Sequence, residues 1–282
     1  MLGAIIGDMV GSVYEHHPLK SKDFDIYNPL SRMTDDSLLT IAVAKVLLKH
    51  YPIKYDEKTL KDIQDDLIKE FVLTWKRDPY VGYGALFYNW CISAMHGKAK
   101  PYNSYGNGSA MRISPVGWIA NSEEEVKILS KTVTEITHNH PEGLKGAEAV
   151  AMCIFLAIHG YSKEKIKERM IKDYYPIIAK LSFDKLIDYY DFYPTCEESV
   201  PEAIYCFLIS NSLEDAIRNC IAIGGDSDTT AAMAGAIAEA YYQKDQLSKF
   251  ERKFMHLLID KQIEDLVKEF YKTINSKKFI KE

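Results

Sequence analysis

MLGAIIGDMVGSVYE, residues 1–15, places Gly3, Gly7 and Gly11 at every fourth position of an apolar run. On an α-helix that spacing puts all three on one side, and the missing side chains leave a flat stripe that a neighbouring backbone can approach closely. Such a helix belongs at the centre of a helical protein. The run is apolar enough to raise the question of a signal peptide or membrane span. It has no basic leading region, carries Asp8 and is too short to cross a bilayer, so it reads as a core helix.

Outward from this helix the same periodicity persists. The runs 38–50, 57–75, 84–96, 122–137, 143–159, 163–173, 199–210, 213–223, 229–242 and 246–274 place apolar residues at three- and four-residue spacing, and none alternates like a strand, which predicts an all-α fold. The stretch from Gln246 to Lys278 is more charged and amphipathic, as expected of an outer helix pair. No linker or low-complexity segment divides the 282 residues, so one domain, 1–282, is expected. The net charge is −5, with 35 basic residues dispersed among 40 acidic ones, which argues against a nucleic-acid surface or a polybasic membrane anchor. Five cysteines, at 91, 153, 196, 206 and 220, form no CxxC pair and read as reduced packing residues suited to a cytoplasmic location.

Two acid-rich clusters carry the chemistry. Thr34-Asp35-Asp36 and Asp226-Ser227-Asp228-Thr229 each open an apolar helical run. Capping is one reading, since Thr34 suits an N-cap, Asp35 and Asp36 suit a first turn, and Gly224-Gly225 suits an ordinary turn. The other reading joins the clusters into one site for a hard divalent cation, which takes oxygen ligands and relieves repulsion among crowded carboxylates. Two clusters of matching composition favour the second, because they hold more carboxylates than helix starts require.

Other residues are less decided. Asp8 and Glu15 are spaced to share nearly one face of the first helix. Asp8 reads either as a site residue or as a buried acid bonded to a neighbouring helix end. Glu15 leads into His16-His17-Pro18, a polar segment able to act as a flap over a pocket. The loop Asn103-Ser104-Tyr105-Gly106-Asn107-Gly108-Ser109 offers backbone N–H groups that suit phosphate oxygens, or is a plain turn; it matches neither the Walker nor the Rossmann pattern. In Thr137-His138-Asn139-His140-Pro141 the paired histidines lack further zinc ligands nearby, so a hydrogen-bonding or stacking role for His138 is preferred. Arg112 is either a ligand-facing cation or a structural partner for a helix C-terminus.

Taken together, Gly7-Asp8-Met9-Val10-Gly11-Ser12-Val13-Tyr14-Glu15, Thr34-Asp35-Asp36-Ser37, Gly106-Asn107-Gly108-Ser109-Ala110-Met111-Arg112, Thr137-His138 and Gly224-Gly225-Asp226-Ser227-Asp228-Thr229 resemble, in order, the motifs of the ADP-ribosylglycohydrolases. The resemblance runs from about residue 3 to about residue 242. It implies a compact orthogonal helical bundle with two Mg²⁺ or Mn²⁺ ions between helices, cleaving ADP-ribose from an acceptor at the C1″ carbon. By the same resemblance Thr34, Asp35, Asp36, Asp226, Asp228 and Thr229 are metal ligands. Ser104, Tyr105, Gly106, Asn107, Gly108 and His138 hold substrate. Glu15, with Asp35 and Asp36 beside it, forms the catalytic group, and proton transfer is expected of Glu15.

Asp78-Pro79-Tyr80-Val81-Gly82-Tyr83-Gly84 and Ser104-Tyr105-Gly106-Asn107 resemble the branch acting on serine-linked ADP-ribose, poly(ADP-ribose) and O-acetyl-ADP-ribose. The arginine-directed branch tends to carry aspartate at the position of Ser104. Glu239 and Gln243 depart from the family, which often has a second Gly-Ala and a closing glycine there. The expected partner is an ADP-ribosylated protein or an ADP-ribose-containing small molecule, and the expected state is a monomer. Alternatives are an arginine-directed hydrolase, a dinuclear metal phosphoesterase and a non-catalytic ADP-ribose-binding protein.

Overall fold

The glycine stripe does what its spacing demands. In the computed structural model, which describes residues 1–242, 248–257 and 261–274, helix α1 (Leu2–Gly11) lies along α12 (Ser227–Tyr241) with backbone against backbone. A Cβ on Gly3 would meet the Gly235 carbonyl oxygen at 2.2 Å, one on Gly7 the Ala231 carbonyl oxygen at 2.1 Å, and one on Gly11 the Asp228 Cα at 2.4 Å. Every residue of α1 is buried, and so is α12 from Ser227 to Ala240.

Around this pair the described residues form an all-α architecture of fourteen α-helices, two short 3-10 turns and no strand. On one side α7 (Pro141–Ile158), α10 (Cys196–Leu208) and α11 (Leu213–Ile223) pack on α12. On the other, α2 (Asp35–Lys49) packs on α1 and carries α3 (Glu57–Arg77), which supports α4 (Ala85–Met95) and α6 (Glu123–Thr134). Side-chain caps set several boundaries. Asp56, Ser122, Thr195 and Ser212 each accept a backbone N–H of the helix they precede, those being α3, α6, α10 and α11. The Thr195 cap starts α10 ahead of the periodic run 199–210.

Two short helices lie outside the predicted runs, α5 (Ser114–Ile119) and α9 (Phe183–Tyr189), because neither is long enough to display a period. The predicted run 246–274 holds two helices, α13 (Lys249–Leu257) and α14 (Lys261–Thr273), and their amphipathic character is real: Phe254, Val267, Phe270 and Tyr271 are fully buried. Residues 243–247, 258–260 and 275–278 of that region lie outside the described ones, Gln243 included. Glu239, the other departure from the family pattern, is buried in α12, where it accepts from the Gly3 amide at 2.8 Å and from the Tyr271 hydroxyl at 2.5 Å. It therefore links α1, α12 and α14. All five cysteines are free and buried. Among the described residues no helix is long and apolar enough to cross a membrane.

The contact at Gly7 is the most demanding. Gly7→Ala would drive a methyl group into the Ala231 backbone, which cannot yield as a side chain can. It should cost at least about 1–3 kcal/mol of unfolding free energy in urea. An unchanged midpoint and slope would show that α1 and α12 are not in backbone contact in solution.

Candidate active site

The starts of α2 and α12 meet beside the C-terminal end of α1. Ser227 Oγ donates to the Gly11 carbonyl at 3.0 Å, fixing the start of α12 there. Asp8, one turn earlier on α1, grips the start of α2: it accepts from Thr34 N at 2.9 Å, Thr34 Oγ1 at 2.7 Å, Ser37 N at 3.0 Å and also Ser37 Oγ. Both Asp8 oxygens are thus committed. This is the buried acid bonded to a neighbouring helix end that one reading of the sequence anticipated.

Capping explains one cluster only in part and the other hardly at all. Thr34 is the N-cap of α2, its hydroxyl oxygen accepting from Asp36 N at 3.3 Å. Asp226 occupies the N-cap position of α12 without capping it, and its carboxylate accepts instead from Asn107 Nδ2 at 2.7 Å. Carboxylate oxygens of Asp8, Asp36 and Asp228 lie within 4.8 Å of one another, and so do those of Glu15, Asp226 and Asp228. Asp228 belongs to both groups. Asp36 Oδ2 accepts from Thr229 Oγ1 at 3.2 Å, while Asp36 Oδ1 is buried without any partner.

Such crowding is costly. Loss of solvent pushes the Asp35 carboxyl up to about 8, and the carboxylates of Asp8, Asp226 and Glu15 add to the shift. Asp36 and Asp228 are raised well above the ordinary carboxylate range, by burial first and by their acidic neighbours next. Burial is also the leading cause of the raised values of Asp8, Asp226 and Glu15. An all-oxygen donor set, mutually repelling and with one orphaned oxygen, fits a hard divalent cation. Asp36, Asp226 and Asp228 supply carboxylate oxygens to these groups, and Asp35 and Thr229 line the same cavity.

Glu15 is reached differently from what its spacing predicts. Helix α1 ends at Gly11, so Glu15 does not share a helix face with Asp8 but stands on the turn that follows. Its carboxylate nevertheless lines the cavity, with its side chain 23% exposed and His16 Nε2 at 3.6 Å. The turn is short. Tyr14 packs against Phe24 at 5.0 Å between ring centroids, and Lys20 Nζ donates to the Tyr190 and Ile223 carbonyls at 2.6 Å each.

The cavity, of about 450 Å³, joins these acids to the glycine loop. Asp35, Asp36, Asp226, Asp228 and Thr229 line it together with Ser104, Gly106, Asn107, Gly108 and His138. Two residues singled out by sequence are not in the wall. Thr34 is buried behind Asp36, and Tyr105 is 54% exposed with its ring edge-on to His140. The loop is also less open than an anion nest. Gly106 N donates to Ser104 Oγ at 3.1 Å and Asn107 N to the Pro194 carbonyl at 3.0 Å, so these two amides are spent inside the protein. Arg112 lines the cavity, fully buried, its guanidinium 4.8 Å from the centre of the Phe71 ring and 5.9 Å from that of Phe87. Its Nη2 donates to Thr137 Oγ1 at 2.6 Å, just past the end of α6.

Leu86, Tyr102, Phe192 and Pro194 also line the cavity, although no motif marks them for the site. Leu86, Phe192 and Pro194 stand in loops or a first helical turn, where periodicity carries no signal. Gly82 had a signal. Its φ is +119° and a Cβ there would lie 2.8 Å from Asp35 Oδ1, so only glycine lets this loop close over the acid.

The profile of the ADP-ribosylglycohydrolase family matches residues 1–278. ADP-ribosylhydrolase ARH3 of Mus musculus is 28% identical over 318 residues, covering 88% of this chain and 84% of that protein. ADP-ribosylhydrolase ARH3 of Homo sapiens is 28% identical over 316 residues, with 88% and 85% covered. Among solved structures, a chain of an "ADP-ribosylglycohydrolase-related protein complex" superposes with a TM-score of 0.69 at 20% identity, covering 97% of both chains, a likeness of fold.

The raised carboxyls make stability depend on pH. Folded Asp35 keeps its proton up to about 8, whereas the unfolded side chain releases it near 3.8, so rising pH between those values favours the unfolded chain. Protein treated with chelator should lose thermal stability steadily from about pH 5 to about pH 8. Adding Mg²⁺ or Mn²⁺ should restore it, most strongly at the alkaline end. A melting temperature indifferent to both pH and metal would show that the acids are not crowded as described.

Proposed function

The chain belongs to the ADP-ribosylglycohydrolase family, and from that premise we propose that it releases ADP-ribose from an acceptor by hydrolysis at C1″, with serine-linked ADP-ribose, poly(ADP-ribose) or O-acetyl-ADP-ribose as substrate. The supporting observation is the convergence of Glu15, Asp226 and Asp228, whose oxygens lie within 4.8 Å of one another in the wall of the cavity that also holds Ser104 and His138. A candidate proton-transfer group thus stands beside a candidate cation centre, in a cavity with room for a sugar.

Two Mg²⁺ or Mn²⁺ ions would be held by Thr34, Asp35, Asp36, Asp226, Asp228 and Thr229. When bound, they supply orientation of the ribose hydroxyls and stabilisation of developing negative charge. The protein's own residues divide the remaining work. Glycosidic cleavage passes through an oxocarbenium-like state, so a proton must reach the leaving atom and another must leave the incoming water. Glu15 suits both transfers. Its half-buried carboxyl is raised by loss of solvent and by Asp226, with His16 opposing, which brings its pKa towards the working range of a general acid or base.

Asn107 holds Asp226 through its amide, and the Ser104–Gly108 loop with His138 forms the wall for the diphosphate and ribose. Ser104 stands where the arginine-directed branch tends to have aspartate, and Gly82 closes over Asp35 within the stretch that resembles the serine-directed branch. The five buried, free thiols agree with a reducing, cytoplasmic setting. We take residues 1–282 as one domain working as a monomer.

Glu15→Gln should keep cation and ADP-ribose affinity while turnover falls roughly 10²–10⁴-fold; full turnover would remove Glu15 from the mechanism. Asp228→Ala should abolish the heat of Mg²⁺ or Mn²⁺ binding in calorimetry. Incubation with serine-linked, arginine-linked and polymeric ADP-ribose, with and without chelator, tests the acceptor. Chelator-sensitive release from serine or polymer is expected, and release from arginine alone would overturn the branch.

A further inference from the structure

A fully buried guanidinium with no carboxylate hydrogen-bonded to it is unusual, and Arg112 is one, the largest fully buried side chain among the described residues. Its Nε has no partner, and the charge rests against the faces of Phe71 and Phe87. Its Nη2 donates to Thr137 Oγ1 at 2.6 Å. Thr137 Oγ1 in turn lies 2.8 Å from Nδ1 of His138, in the cavity wall.

The donor–acceptor inventory decides the direction of this chain. A guanidinium can only donate, so the threonine oxygen accepts from Arg112 and its single hydrogen must go elsewhere. Two acceptors are in reach, the Thr134 carbonyl at 3.3 Å and His138 Nδ1 at 2.8 Å. The Thr134 carbonyl already accepts from Thr137 N at 3.2 Å and from His138 N at 2.9 Å. Nδ1 is both the shorter and the less occupied.

From this geometry we infer that Arg112, Thr137 and His138 form a positioning relay that fixes His138 as the neutral tautomer with its hydrogen on Nε2, a one-way donor aimed at an anionic oxygen of the ligand. Nε2 faces the loop where side chains are missing: a Cβ on Gly108 would lie 3.4 Å from it and one on Gly106 3.8 Å. The two glycines leave that space to a ligand. The second proton is kept off the ring by burial and by the nearby Arg112 charge, which hold His138 well below the usual imidazole range. Such a site favours groups that only accept, above all phosphate oxygens, and disfavours amines. The identity of that oxygen, as one of the diphosphate of ADP-ribose, rests on the proposed function; the tautomer does not.

The test separates the two. Long-range ¹H–¹⁵N correlation spectra of the Mg²⁺-loaded, histidine-labelled protein without ligand should show His138 with an unprotonated Nδ1 and a protonated Nε2, unchanged across neutral pH. Thr137→Val, close in shape but without the hydroxyl, should lose that pattern and bind ADP-ribose about 10- to 100-fold more weakly, the range for a hydrogen bond to a charged group. Its Mg²⁺ affinity should stay as in the unmodified protein. Thr137→Ser should restore both readouts. A wild-type spectrum with the proton on Nδ1, or a Thr137→Val variant with unaltered tautomer and affinity, would overturn the relay. An unmodified protein with the expected tautomer but no affinity for ADP-ribose would instead overturn the proposed function.

Discussion

Helix α1 touches both helices whose starts carry the acids, and the geometry of the site follows from how it does so. Its glycines let α12 come within backbone contact, so that Gly11 lies against Asp228. Its one acid, Asp8, reaches sideways to four donors at the start of α2. Residues separated by 193 positions, Asp36 and Thr229, are thereby brought into hydrogen-bond contact. A bulkier residue at any of the three glycines would push the two acid-bearing starts apart.

Placing acids at helix starts has its own logic. The unpaired amides and the macrodipole of α2 and α12 favour negative charge there, and the Asn107 amide adds a donor to Asp226. These contributions offset part of the cost of removing the carboxylates from water. They do not offset all of it, as the raised values of Asp35, Asp36, Asp226 and Asp228 attest. A group of acids that is uncomfortable without a counter-ion is poised to bind one, so the strain of the bare site and its affinity for cations have a common origin. The buried cation of the same cavity, Arg112, makes no direct hydrogen bond to a carboxylate and donates instead to Thr137.

Much of this was legible in the sequence. A four-residue glycine period is a statement about helix contact, and it identified the central helix. The matched acid clusters announced a shared centre because capping alone cannot use so many carboxylates. Other features depend on contacts that no local pattern records. The end of α1 at Gly11 separates Glu15 from the helix, although the spacing from Asp8 suggests a common face. The glycine loop reads either as an anion nest or as a plain turn, and only contacts decide: Gly106 and Asn107 give their amides to Ser104 and to Pro194, the latter far along the chain. Tyr105 looks like part of the wall, but its neighbours turn inward and it turns out. Sequence alone does not place Arg112, because its contacts, Thr137 and two phenylalanines, are none of them adjacent to it.

The claim at the centre of this account is that α1 gathers the two helix starts around one cation-binding centre. Anomalous diffraction from crystals grown with Mn²⁺ tests it directly. The account predicts two strong peaks between the starts of α2 and α12, in contact with Asp36, Asp226 and Asp228. An active protein whose manganese lay elsewhere, or whose acids closed on one another with no peak between them, would contradict it.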